Sequence, residues 1–481
     1  MLAEKLSGLQ PDRVFAYFEK LCSIPHGSYN TDAICNYLVS FACDHGLRYI
    51  RDAANNLIIF KDASAGYEDH APVILQGHMD MVCQKDEGVC IDMQTQAIDV
   101  THDGEFVFAK GTTLGADDGI AVAICLAILE DDAIAHPPLE VIITADEEVG
   151  LVGANAIDLS MLKGRRMLNL DTPYDNVLNA GCGGGARVTL EMPVQRESAP
   201  AGRVCIGLEG LRGGHSGSQI VKNYANANKA MAQLLLQIGQ QLPMRLESLS
   251  GGMAGNVIPS AAQAVITCAE AAAETVKGLC DAFAKYLRES FDEPNAVITV
   301  SVLPEAGSQV LTSDATKQVL DMLESLPNGV QQWSPDFEGL PLVSLNLGVV
   351  KLEGQTLSTL SALRSGVNQK RQALQESLKE FARDNGCIYS ESGVYSAWEY
   401  RKDSPLRDTL VKLYQARFNE LPIVRVVHAG LECGVLSEKL PGLDCISMGP
   451  STMEIHTTRE RLSIASTRRT YDFLLEILKT L

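Results

Sequence analysis

The 481-residue sequence lacks any apolar run long enough to cross a bilayer, which takes about 20 residues. Its longest run near the middle, GIAVAICLAIL over residues 119–129, reads instead as a buried helix. Residues 1–10 are polar and mixed, without the basic, apolar and small-residue succession of a secretory leader. No Cys-x-x-Cys pair occurs, and the 13 cysteines are odd in number and scattered through apolar segments. They read as reduced, buried thiols, which together with the missing leader points to the cytoplasm. Positive charge is short: 40 Lys and Arg against 60 Asp and Glu leave a formal net charge of −20. Such a surface repels a phosphate backbone, so a nucleic-acid partner is not expected, and no membrane partner is either.

What is present is ordinary for a globular chain, with 46% hydrophobic and 21% charged residues. At this length more than one core is expected. The first part alternates helix and strand. Ile34, Leu38 and Phe41 recur at helical spacing, with Thr31 as a possible cap and Gly46 as a stop. Strand-length apolar runs follow at NLIIF, PVILQ, LEVIITA and RMLNL, with a helical connection over 120–129 and a second connection near 154–162. That alternation predicts an α/β sheet, in which ligands gather at the carboxyl ends of strands.

From about residue 187 the texture changes. ARVTLEM and GRVCIGLEGL read as antiparallel strands, and a long helix is expected over 221–241. A second round of strands and helices follows, and after about residue 395 the α/β texture returns. The predicted organisation is a split catalytic domain, residues 1–186 and 395–481, with a central mixed sheet flanked by helices. An α+β lid over 187–394 is inserted into it, and its two rounds suggest a duplication.

Ionisable residues arrive at equivalent places along the first part. PVILQG runs into His78 and Asp80, which share a face because strand side chains alternate. LEVIITAD runs into Glu147 and Glu148, RMLNL into Asp171, and LDCISMG into a loop carrying His456. Asp117 sits in GTTLGADDG, a glycine-rich turn that opens a helix. Each has an ordinary explanation when taken singly: a glutamate doublet is usually solvated, and an aspartate in a turn often caps a helix. Taken together, five carboxylates and two imidazoles at one sheet edge repel one another, or stay protonated, unless a cation neutralises them. The set suits two divalent ions. A pair about 3.5–4 Å apart needs a shared carboxylate, and one carboxylate is left free as a base for a water between the ions. Zinc fits histidine and carboxylate donors, and so do manganese and cobalt.

GHMDMV, GTTLGADDG, TADEEVG, NLDT, GGHSG, GNVIP, HAGLECG and IHTTRE occur in the order found in cocatalytic zinc exopeptidases related to carnosinase, glutamate carboxypeptidase and succinyl-diaminopimelate desuccinylase. The chain resembles that family over nearly its whole length. GTTLGADDGI and VVHAGLECG are similar to its bacterial aminoacyl-histidine dipeptidase branch. The resemblance implies the family's zinc-exopeptidase fold and hydrolysis of short unblocked dipeptides, Xaa-His among them. It also implies residue roles. His78 and Asp171 would hold one ion, Glu148 and His456 the other, and Asp117 both. Glu147 would be the general base, and Asp80 would orient the His78 ring.

In the lid, His215 would stabilise the tetrahedral oxyanion, while Asn256 and Arg364 would hold the substrate's carboxylate. Whether His215 acts within its own chain or across a homodimer stays open. Glu432, expected at a strand end facing the site, would bind the substrate's free amino group. One departure from the family pattern is visible: Thr457, Thr458 and Arg459 follow His456 where many relatives carry Ser-Pro-Asp, although Glu460 is kept. Two other readings share these residues. One is an amidohydrolase removing an acyl group from an N-acyl amino acid; the other is a metal-binding relative without catalysis, against which the intact Glu147 argues.

Overall fold

The computed structural model describes residues 5–199, 202–304 and 308–481. Contacts divide the chain into two units. One comprises Met1–Cys182, Tyr400–Val426 and Leu431–Leu481; the other comprises Gly183–Glu399 and Val427–Gly430.

In the first unit the apolar runs become a mixed sheet. Its strands, in spatial order, are Arg48–Arg51, Leu57–Lys61, Leu139–Thr144, Val73–His78, Arg166–Asn169, Asp444–Ser447, Val177–Cys182 and Ile423–Val427. The four central ones, from Leu139–Thr144 to Asp444–Ser447, run parallel. They are buried on both faces, which is why they read as continuous Val, Ile and Leu runs rather than alternating ones. From Val73–His78 the chain crosses through helix Ala116–Glu130 to Leu139–Thr144 on one side, then returns to Arg166–Asn169 on the other. The strand order therefore reverses at Val73–His78, and the carboxyl end of that strand opens on a topological switch point.

Helix Ala116–Glu130 is buried nearly all round because, after its first turn, ADDGIAVAICLAILE has no polar face. It packs against helix Asp12–Cys22, whose Val14, Phe15, Phe18 and Leu21 form the buried stripe. Helix Asp32–Asp44 ends as the sequence indicates, with Gly46 at φ +65°. Thr31 stands at the cap position, but its hydroxyl accepts from Asn55 instead of capping the helix. The second connection contains only a short helix, Val152–Ala156.

The second unit contains a nine-stranded sheet in which eight strands form two β-α-β-β-α-β sets and the ninth, Gly329–Trp333, pairs with Pro341–Glu353. In one set, Gly202–Glu209, Arg245–Gly251, Ala262–Cys268 and Val297–Leu303 lie in the spatial order fourth, first, third, second, with helices Ala227–Gln241 and Ala273–Ser290 as crossovers. In the other, Gly184–Pro193, Pro341–Glu353, Thr356–Ser365 and Ile388–Tyr395 take the same order read from the opposite edge, with helices Ser313–Ser325 and Asn368–Asp384. The sets join where Arg245–Gly251 pairs antiparallel with Pro341–Glu353.

The two sets share one topology but are nested rather than consecutive. Gly184–Pro193 belongs to the later set, into which the whole earlier set is inserted. Long-range pairing decides this, and no local pattern reports it. The helix expected over 221–241 begins at Ala227, because the Asn226 side chain accepts from the amides of Asn228 and Lys229 and ends the preceding loop.

Candidate metal centre

The parallel strands of the first unit deliver their last residues to one edge. Val73–His78 ends on His78, which is 1% exposed. After Leu139–Thr144 the chain turns through Asp146, at φ +55°, into Glu147 and Glu148. Arg166–Asn169 leads to Asp171, and Asp117 lies in the first turn of helix Ala116–Glu130, joined to Asp118 by a cis peptide bond. His456 lies in the loop between strands Thr452–Met453 and Arg461–Ser463 at φ +63°. A left-handed conformation costs a non-glycine residue about 1–2 kcal/mol, so the surrounding loop must enforce it.

Asp117 stands between the two imidazoles. Its Oδ1 is 3.3 Å from His78 Nε2, and its Oδ2 is 3.2 Å from His456 Nε2. Glu148 Oε1 lies 2.8 Å from the same His456 nitrogen, yet it is buried and forms no hydrogen bond of acceptable geometry. Among the described residues, potential ligand atoms converge within 4.8 Å in three groups: Asp117, Glu148 and His456; His78, Glu147 and Glu148; and His78, Asp118 and Asp171. The structure thus brings together all five residues expected as ligands.

Asp118 was not anticipated. It groups with His78 and Asp171, beside Asp117, and its Oδ2 accepts from the His78 amide at 3.2 Å. Gly77 makes room for it, since a Cβ there would lie 2.5 Å from Asp118 Oδ2. The only trace of this residue in the sequence is the doubled aspartate of GADDG, which a turn explains equally well.

The electrostatics of the centre are those of a site short of positive charge. Burial alone would depress the His78 imidazole, but Asp117 and Asp80 together hold it well above its ordinary value. Asp117 and Glu148 raise His456 to about 10. Burial opposes the Asp117 charge, yet the two imidazoles bring its carboxyl below the usual range. For Glu147, Asp171 and Asp118 burial prevails and pushes each well upward. A centre in which burial and mutual repulsion disfavour so many negative charges has a donor set that fits divalent metal.

Asp80 does more than face the His78 ring. Its Oδ1 is 3.4 Å from His78 Nδ1, and that nitrogen is also 3.0 Å from the Asp80 carbonyl oxygen. The same carboxylate accepts from the amides of Glu147 at 2.9 Å and Glu148 at 3.3 Å, and from the Ser28 hydroxyl at 2.8 Å. One buried side chain therefore fixes both a ring and the glutamate turn. Glu432 is not at a strand end, because it opens helix Glu432–Lys439 and is fully buried. Its Oε2 accepts from Gln76 Nε2 and Thr144 Oγ1, each at 2.6 Å, and its Oε1 has no donor.

In the second unit, His215 sits on the short strand Gly214–His215, which pairs with Val257–Ile258. Asn256 precedes that partner strand; its side chain is exposed and its carbonyl accepts from the Ser216 amide at 2.9 Å. Buried Glu293 accepts from the amides of Arg212 and Ala225, closing the loop that carries His215. Arg364 is 8% exposed on strand Thr356–Ser365. Its Nη1 donates to the Tyr395 hydroxyl at 3.2 Å, Nη2 is 3.3 Å from His215 Nε2, and Nε has no acceptor. Among the described residues no carboxylate pairs with it. His428 was not singled out from the sequence, although it lies in VVHAG. Its Nε2 is 2.7 Å from Ser344 Oγ, and burial, aided by Arg364, pushes it down to about 3, so its ring is neutral.

Comparison with known proteins bears on this arrangement. A family model described as peptidase family M20/M25/M40 matches residues 74–480. The chain is 34% identical to the cytosol non-specific dipeptidase of Escherichia coli K12 over 480 residues, which cover 99% of each chain. Its fold matches that of aminoacylhistidine dipeptidase from Vibrio alginolyticus with a TM-score of 0.91, at 33% identity and covering 99% of this chain and 98% of that one. The aminopeptidase PepT from Bacillus cereus shares the fold at 15% identity, with a TM-score of 0.55 and 98% of each chain covered. The chain belongs to peptidase family M20/M25/M40.

Proposed function

We propose that this chain is a two-metal dipeptidase that hydrolyses unblocked dipeptides, Xaa-His among them. The observation that carries the proposal is Asp117, with one oxygen toward His78 and the other toward His456. His78 and Asp171 are assigned to one ion, Glu148 and His456 to the other, and Asp117 to both. Zinc suits this donor set, as do manganese and cobalt. Two divalent ions held there supply Lewis-acid polarisation of the peptide carbonyl and acidify the attacking water.

The remaining work belongs to the chain's own residues. Glu147 takes the proton of the attacking water and hands it to the leaving amine. Asp80 keeps the His78 ring and the Glu147 turn in register. Arg364, which has a hydrogen-bonding nitrogen to spare and no carboxylate of its own, receives the substrate's carboxylate, with Asn256 as a further donor. His215 donates to the oxyanion. Glu432 is assigned the substrate's amino group, for which its undonated Oε1 is the acceptor. The names of the Escherichia and Vibrio relatives support the substrate class, and the former supports a cytoplasmic location.

The test follows histidine release from an unblocked Xaa-His dipeptide beside amino-acid release from its N-acetyl analogue, after chelation and again after zinc is returned. Zinc-restored cleavage of the unblocked dipeptide alone is expected. Cleavage of the acetylated compound alone would overturn the substrate class and the Glu432 assignment.

A further inference from the structure

We infer that Glu460 is a positioning residue for the metal centre: it caps the start of the Asp117 helix from outside, so Asp117 keeps both its oxygens for the centre. The inference rests on the assignment of Asp117 and His456 as metal ligands. An aspartate in the first turn of a helix ordinarily competes for the free backbone amides there. Helix Ala116–Glu130 has no side-chain cap of its own at Gly115. Four consecutive amides at its start are instead taken by one distant carboxylate. Glu460 Oε2 accepts from Leu114 at 2.8 Å and Gly115 at 3.0 Å, and Oε1 accepts from Ala116 at 2.8 Å and Asp117 at 3.2 Å. The residue is 3% exposed, so water does not compete for these bonds. The positive end of the helix adds to the attraction for an anion.

The same residue ties down the loop of His456. Its amide donates to the Thr457 carbonyl at 3.1 Å, closing a turn that begins next to His456. Immediately after it, Arg461–Ser463 pairs with Phe106–Ala109. Gly115 lies at φ +72°, a left-handed conformation that glycine adopts without strain, and a Cβ there would come 2.8 Å from Met81 Sδ. One buried carboxylate thus holds the loops of two ligands that are far apart in sequence.

The experiment compares chelated wild type, Glu460→Gln and Glu460→Asp by zinc calorimetry and by thermal unfolding with and without zinc. The Gln variant replaces one accepting oxygen with an NH2 group that faces backbone donors. Zinc affinity is expected to fall at least tenfold in Glu460→Gln, with Glu460→Asp intermediate, and the zinc-induced rise in Tm is expected to shrink accordingly. A merely structural role would lower Tm equally in metal-free and zinc-loaded protein, leaving affinity and the zinc-induced rise unchanged; that result overturns the inference. If Glu460→Gln fails to fold, Glu460→Asp carries the comparison on its own. Asp117→Asn tests the underlying assignment separately: zinc binding as tight as wild type there would remove Asp117 as a ligand, and the role of Glu460 would fall with it.

Discussion

Glu147 and Glu148 are adjacent in the chain and differ in surroundings. Glu148 shares His456 with Asp117, whereas Glu147 approaches only through His78 and Glu148. Glu147→Gln should therefore retain the full metal complement while kcat falls by about 10²–10⁴, the usual contribution of a general acid–base. Metal analysis beside steady-state kinetics reads both; loss of an ion would reverse the roles of the two glutamates. His456 offers a second check. In the metal-free protein its pKa is raised to about 10, so it carries a proton at neutral pH that a metal must expel. Binding should tighten as pH rises from 6 to 9, by about tenfold per unit for each proton released. Calorimetry in buffers of differing ionisation enthalpy counts those protons, and a flat dependence would remove His456 from the ligand set. Residues with a motif around them were legible in the sequence, because strand ends and glycine turns advertise themselves. Asp118 and His428 were not, because their roles rest on neighbours brought together only by folding: the His78 amide for one and Ser344 for the other.

Elements were legible wherever local periodicity matched burial. The parallel strands of the first unit are apolar on both faces and of strand length, so their positions, and the gathering of ionisable residues at their carboxyl ends, could be read directly. The nested order of the second unit could not, since a strand such as Gly184–Pro193 looks the same whichever partner it takes. Helix ends depend on single side chains. Asn226 accepts from Asn228 at 3.0 Å and Lys229 at 3.2 Å, so Asn226→Ala should destabilise the protein by about 1 kcal/mol. Because Asn226 Nδ2 also donates to the Leu347 carbonyl at 3.0 Å, Asn226→Ser would restore the cap but not that bond. Denaturant midpoints for the two variants separate the contributions, and equal losses would make the strand contact the dominant one.

At the scale of the whole molecule, the first unit builds one edge where carboxylates outnumber cationic groups, and the second holds the buried Arg364 guanidinium, with which no carboxylate pairs among the described residues. Each is an incomplete electrostatic arrangement, costly to maintain unless a ligand completes it. The first fits divalent cations; to the second the proposed function assigns the substrate's carboxylate. The net charge of −20 is borne by the chain as a whole, so cation uptake also relieves some of its self-repulsion. The central claim is the two-ion centre organised on Asp117. Its most direct test is a titration of the fully chelated protein with zinc, with hydrolysis of an Xaa-His dipeptide measured at each addition. Turnover should be absent at the start and reach its plateau at two equivalents per chain; full turnover in the chelated protein, or a plateau at one equivalent, would contradict the claim.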